Sequence, residues 1–202
     1  MPLVSTKNKL PAGFLSDKEL DQLYPAAIQQ LAHKHWTSLE AAIKAAHYLA
    51  AEPQVKILDI GSGVGKFCLA AASIKPDAFF YGIEQRKNLV NYAEAAKEKT
   101  GIANVTFMQG NFTQVNFQQY DHFYFFNSFY ENISVAHKID SSIDYSYELY
   151  NYYNRYLYKE LEKMKPGTKM VTYHSMEEAV PEGYELLASE MDEDLKFWLK
   201  GE

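Results

Sequence analysis

From position 55 onward the chain alternates two hydrophobic patterns. Short, nearly unbroken apolar runs at 55–60 (VKILDI), 79–84 (FFYGIE), 104–110 (NVTFMQG), 122–127 (HFYFFN) and 168–174 (TKMVTYH) read as five strands. Between them lie helical patterns: the run 67–74 (FCLAAASI), the inward set Leu89, Ala93 and Ala96, and the set Leu149, Tyr153, Leu157, Leu161 and Met164 within 139–164. Unbroken rather than alternating runs predict strands covered on both faces, the condition of a parallel sheet with crossover helices. The last two segments, 184–190 (YELLASE) and 195–200 (LKFWLK), are separated by a short acidic turn and predict an antiparallel hairpin. The expected fold class is α/β: a seven-stranded, mostly parallel sheet with a C-terminal antiparallel hairpin and helices on both faces.

Upstream, residues 1–15 show no period and read as an arm. Ser16 with Glu19 and Thr37 with Glu40 are spaced as capping boxes, which predicts two N-terminal helices. The second, about 38–51, places Leu39, Ile43, Ala46 and Ala50 on one face, and Pro53 ends it. The division expected is an N-terminal arm and helix over 1–36 and one domain over 37–202.

Composition narrows the picture. A chain of 202 residues, 47% hydrophobic and 23% charged, suits one globular core. No apolar run reaches membrane-spanning length, and the start lacks the basic-then-apolar order of an export signal. Cys68 stands alone, so no internal disulfide forms, and a reducing cytoplasm is the expected location. The net charge of -6 is concentrated in residues 177–202, where nine acids face only Lys196 and Lys200. The remainder is close to neutral, so a small-molecule or protein partner is expected ahead of nucleic acid. Seven of the 16 tyrosines fall within 139–164, predicting core packing and an aromatic face open to a homodimer.

The chemistry-bearing segment is 59–65 (DIGSGVG), at the junction of the first strand with the next helix. Glycines there permit a sharp turn and close approach of a ligand to the main chain, and the helix start offers free N–H groups. Glu84 ends the second strand 19 residues after Gly65, placed to accept from both hydroxyls of a ribose. The dinucleotide pattern G-x-G-x-x-G is not met, since Lys66 occupies its last glycine position. Asp59 would repel a pyrophosphate and favour an ammonium group. These two facts point to an adenosine attached to an amino acid.

These residues resemble the class I S-adenosylmethionine-dependent methyltransferases over roughly 37–202. The resemblance implies a Rossmann-like fold and S-adenosyl-L-methionine as cofactor. It implies that Asp59, Gly61, Ser62, Gly63 and Gly65 hold the methionine part, that Glu84 holds the ribose, and that Asn111 and Phe112 accept and cover the adenine. Ser62 and Val64 fill the turn and make contact through backbone. The segment Asn127-Ser128-Phe129-Tyr130 is similar to the (Asn/Asp)-Pro-Pro-(Tyr/Phe) signature of enzymes that methylate planar nitrogens, without its prolines. The resemblance implies catalytic roles for Asn127, which would orient an acceptor nitrogen, and Tyr130, which would stack on it. Locally, 59–72 and 125–132 also resemble the disruptor-of-telomeric-silencing lysine methyltransferases, which hints at an amine acceptor.

Weaker candidates take structural readings. His33 and His35 lie on different helix faces with no Cys or Asp partner nearby, so no metal site is expected. Cys68 reads as a buried small hydrophobe, and Arg86 and Lys87 as decoration of a helix start. His174 reads either as a base in the pocket or as a packed or surface histidine. Trp36 and Thr37 are placed to help close the cofactor site. The leading expectation is a methyltransferase acting on a nitrogen of an unidentified acceptor. A noncatalytic cofactor-binding or scaffold protein and a nicotinamide-dependent oxidoreductase remain alternatives.

Overall fold

The computed structural model describes residues 14–134, 138–175 and 180–202, and at positions 33 and 34 the backbone alone. Seven strands form one sheet: β1 (Lys56–Ile60), β2 (Phe79–Glu84), β3 (Val105–Gln109), β4 (His122–Phe126), β5 (Lys169–Tyr173), β6 (Tyr184–Glu190) and β7 (Leu195–Lys200). The spatial order is β3-β2-β1-β4-β5-β7-β6. The first five are parallel, and β7 runs antiparallel to both β5 and β6. The order reverses direction between β1 and β4, and such a switch point opens a crevice at the strands' carboxyl ends.

Side chains of successive strand residues point to opposite faces, so each strand feeds two cores. On one face, helices α4 (Leu39–Leu49), α5 (Lys66–Ile74) and α6 (Lys87–Thr100) bury alanine-rich stripes against Ile57, Phe80, Tyr124 and Val171. On the other, α7 (Tyr147–Glu162) buries Tyr153, Leu157 and Leu161 against Leu58, Phe123, Phe125 and Met170. The outward side of α7 leaves Tyr147 and Tyr152 exposed. None of the described helices is long and apolar enough to cross a membrane.

Two expectations need correction. The first N-terminal helix is broken into α1 (Asp17–Asp21), α2 (Ala26–Gln29) and α3 (Ala32–His35), because Pro25 cannot continue α1 and instead starts α2. At α4 the cap is Ser38, whose hydroxyl accepts from Ala41 N at 3.2 Å. Thr37 is spent elsewhere, its Oγ1 lying 2.8 Å from the Tyr124 hydroxyl. As expected, most of the tyrosine-rich stretch is one amphipathic helix, which starts at Tyr147, where Ser146 caps it by accepting from Leu149 N. Just before it, Asp140 and Tyr145 are bonded to Arg86 instead of joining the helix.

Candidate functional site

A cavity of about 570 Å³ opens over the carboxyl ends of β1, β2, β4 and β5. Its floor is the glycine turn. Gly61 N and Ser62 N donate to Ile83 O at 2.9 and 3.0 Å, which fastens the turn to β2. Ser128 Oγ donates to Ile60 O at 2.9 Å and fills the space that a side chain at Gly61 would need. Tyr24 OH donates to Val64 O at 3.0 Å from the α1–α2 connection. At Gly63, with φ of +55°, the direction of a side chain is open, with no atom within 4 Å. Gly65 does not line the cavity; its φ of +79° starts α5, and the Phe107 ring packs where its Cβ would stand.

Two buried carboxylates face this floor. Among the described residues, Asp59 receives the Cys68 thiol, at 3.5 Å. Burial pushes its carboxyl up to about 8, against the help of the Cys68 contact, and the nearby Glu84 charge adds to the rise. The Cys68 thiol is pushed up in turn by burial and by Asp59. Ionising a carboxyl so placed calls for a cation beside it. Glu84 Oε2 accepts from Gly63 N at 3.2 Å and its Oε1 from Arg86 N at 2.9 Å, so the same side chain braces the turn and the start of α6.

Around the adenine position expected from sequence, Phe112 lines the cavity and stacks on Phe129, with ring centroids 4.9 Å apart. Asn111 is not among the cavity-lining residues. Its Oδ1 accepts from Thr113 N and Thr113 Oγ1, both at 3.0 Å, capping the 3-10 turn Phe112–Gln114, and its Nδ2 donates to Tyr153 OH at 2.9 Å. The other predicted residues Asp59, Gly61, Ser62, Gly63, Glu84, Asn127 and Tyr130 all border the same cavity. Asn127 holds a left-handed φ of +32°, its N–H donates to Ser175 Oγ, and its carbonyl accepts from Tyr130 N. Trp36 and Thr37 also line the cavity, as expected of residues that help close it.

Arg86 is not a surface ornament. Its side chain is buried and donates to Glu131 Oε2 at 2.6 Å, Tyr145 OH at 2.7 Å, Asp140 Oδ1 at 3.3 Å and Glu84 Oε1 at 3.5 Å. Burial opposes its charge, but Glu131 and Glu84 more than offset this and raise its pKa. Glu131 also accepts from Ile139 N, so the guanidinium ties the 3-10 turn Tyr130–Asn132 and residues 139–145 to the end of β2. Lys66 plays a matching part on the other side, bonded to Asp17 at 2.6 Å and Asp21 at 2.8 Å, which clamps α1 over the start of α5. Lys87 is exposed, as read from sequence. His174 borders the cavity at the end of β5. The side chain of His33 lies outside the described residues.

Neither clamp was visible in the sequence. The spacing Glu84-x-Arg86 was its only trace for Arg86, because Glu131 and Asp140 lie 45 and 54 residues away.

Residues 51–196 match the family described as "Methyltransferase domain". The chain belongs to this methyltransferase family. S-adenosyl-L-methionine is the cofactor, and the turn fits it: open space over Gly63 and an uncompensated buried carboxyl at Asp59 suit an amino-acid group carrying an ammonium. Among curated proteins, the tRNA (guanine-N(7)-)-methyltransferase of Microcystis aeruginosa is 44% identical over 54 residues, 27% of this chain and 26% of that protein. The chain thus aligns with about a quarter of that relative's length. TrmN from Thermus thermophilus superposes with a TM-score of 0.58 at 17% identity, covering 86% of this chain and 52% of that one. An RNA methyltransferase from Salinibacter ruber, solved with S-adenosyl-L-homocysteine, superposes at 0.51 with 19% identity, covering 80% and 88%. At these identities the methyltransferase domain shares the fold with both structures.

Proposed function

We propose that the protein transfers a methyl group from S-adenosyl-L-methionine to an acceptor nitrogen bound beside Asn127. The observation that carries this reading is the open space over Gly63 on a cavity that the buried Asp59 and Glu84 also line. Asp59 would pair with the cofactor's ammonium, the 61–63 backbone would line its amino-acid part, and Glu84 would accept from the ribose hydroxyls. Phe112 would cover the adenine, with Asn111 acting through the turn it caps. When bound, the cofactor supplies an electrophilic methyl group.

The remaining work is alignment and exclusion of water, which this chain can do. Asn127 offers its amide to orient the acceptor, and Tyr130 borders it. The aromatic wall of Phe112, Phe129 and Tyr153 and the segment held by Arg86 keep solvent out. Residues 37–202 form the transferase domain in this reading, and α1 to α3 form its cover. A second reading, a nucleic-acid acceptor, is favoured by the tRNA substrate named for the curated relatives.

Titration calorimetry with S-adenosyl-L-homocysteine tests the cofactor site, and labelled methyl transfer to separated nucleic-acid, peptide and metabolite fractions tests the acceptor. Binding lost in Gly63→Val but retained in Asn127→Ala, with turnover lost in both, is the expected result. Wild-type binding in Gly63→Val removes the turn from the site.

A further inference from the structure

Adjacent strands β4 and β5 end in the same unusual way. Phe126 pairs with Tyr173, and the residue after each, Asn127 and His174, takes a left-handed φ, +32° and +50°. Both border the cavity. Non-glycine residues adopt this region at a cost, and such outliers gather where a side chain must be aimed. The cost at His174 is borne by the turn after β6, for His174 N donates to Asp194 O at 2.9 Å. The same aspartate reaches the ring, its Oδ1 lying 3.0 Å from Nδ1. The ring is half exposed and packs on Tyr173 and Phe126, with centroids 4.1 and 5.4 Å away.

With Asp194 Oδ1 3.0 Å from Nδ1, a proton on Nδ1 would face the carboxylate and leave Nε2 as an acceptor. This is the arrangement of an oriented general base.

We infer that His174, set by Asp194, is the catalytic base and that the acceptor is an alkylamine arriving as its ammonium ion. The inference rests on the proposed methyltransferase reading and gives it a substrate class. An alkylammonium has no lone pair to offer at neutral pH. One of its protons passes to His174 Nε2. The freed pair then forms the N–C bond as the C–S bond breaks and its electrons remain on sulfur, giving a methylated ammonium and a thioether. His174 later returns the proton to water.

Charge at the site agrees with this class. Lys66 and Arg86, which also line the cavity, are each held by at least two carboxylates, while Asp144 at the cavity and Asp194 beside His174 attract a cation. A purine N7 carries no proton and would have no use for this base. Of the titratable groups around the imidazole, Asp194 faces it and Tyr173 packs on it. Asp17 of α1 and Glu40 of α4 act on Tyr173, and Lys196 stands opposite Thr172 on β7.

The test uses the wild-type chain, His174→Gln and Asp194→Asn. Calorimetry with S-adenosyl-L-homocysteine should give affinities within about twofold of each other; loss in all three, wild type included, would sink the cofactor reading instead. Nitrogen-15 spectra of the histidine ring should show the Nδ1–H tautomer in wild type and its loss in Asp194→Asn. Label transfer to the peptide and amine fractions should be seen in wild type at neutral pH. It should fall about a hundredfold in His174→Gln at neutral pH, recovering toward pH 9 as the amine loses its proton unaided. An Nε2–H tautomer in wild type, a His174→Gln variant with the wild-type rate and profile, or label found only on nucleic acid overturns the inference.

Discussion

Asp59 and Gly63 face the same space and place different demands on it. The Asp59 carboxyl loses its proton near 3.8 in the unfolded chain and near 8 in the fold. Between those values the native state holds the extra proton, so stability falls as pH rises from about 4 to about 8. Asp59→Asn removes the titration. Urea midpoints at pH 5.5 and 7.5 should differ less in the variant than in wild type, and saturating S-adenosyl-L-homocysteine should narrow the wild-type difference by offering its ammonium. An equal pH dependence in variant and wild type would show that Asp59 is already ionised in the fold.

Gly63 and Gly65 separate binding from stability. Gly63→Ala meets no neighbour and has only the left-handed backbone against it, about 1 kcal/mol. Its unfolding midpoint should move little while ligand affinity drops. Gly65→Ala adds a collision with Phe107, with atoms 2.3 Å from the new Cβ, and should lower the unfolding midpoint several times further.

At the scale of elements, Arg86 binds the end of β2 to the 130–132 turn and residues 139–145. Arg86→Ala leaves Glu131 buried, with its carboxyl already raised by burial against the pull of Arg86. Removing one partner of a buried pair costs about 3–5 kcal/mol. Amide exchange should rise first over 138–146 and only later over β1 and β4. Uniform loss of protection would mean that Arg86 holds the whole domain rather than this cover.

Most of the elements were legible beforehand. The hairpin strands and β2 match the sequence reading residue for residue, because unbroken or alternating apolar runs are local signals. The cavity floor was legible for the same reason, as Asp59, the glycines and Glu84 lie within 26 residues. What stayed hidden depends on distance along the chain. Asn111 reads as an adenine acceptor by position, but its oxygen is taken by Thr113 and its amide by Tyr153. Thr37 has the spacing of a cap, but Tyr124 claims it across 87 residues. The pairing of His174 with Asp194 depends on β7 entering beside β5.

For the molecule as a whole, binding and folding are coupled through the cavity. S-adenosyl-L-homocysteine at a hundred times its dissociation constant should stabilise the native state by about 2.7 kcal/mol. A thermal scan with and without ligand checks this, and a nicotinamide dinucleotide should produce no shift. Salt should affect this binding little, since the charges concerned are buried.

Strand β7 lies between β5 and β6, and β6 touches the rest of the sheet only through it. The chain therefore cannot build the sheet outward in the order of its sequence. The two strands have only a short turn between them and can zip together early, then dock against β5 as a finished pair. In the native protein, the backbone amides that β6 shares with β7 should be released to deuterium in one step with those joining β7 to β5. His174 takes its position only on docking, so the oriented imidazole should be among the last features to appear on refolding and among the first to go.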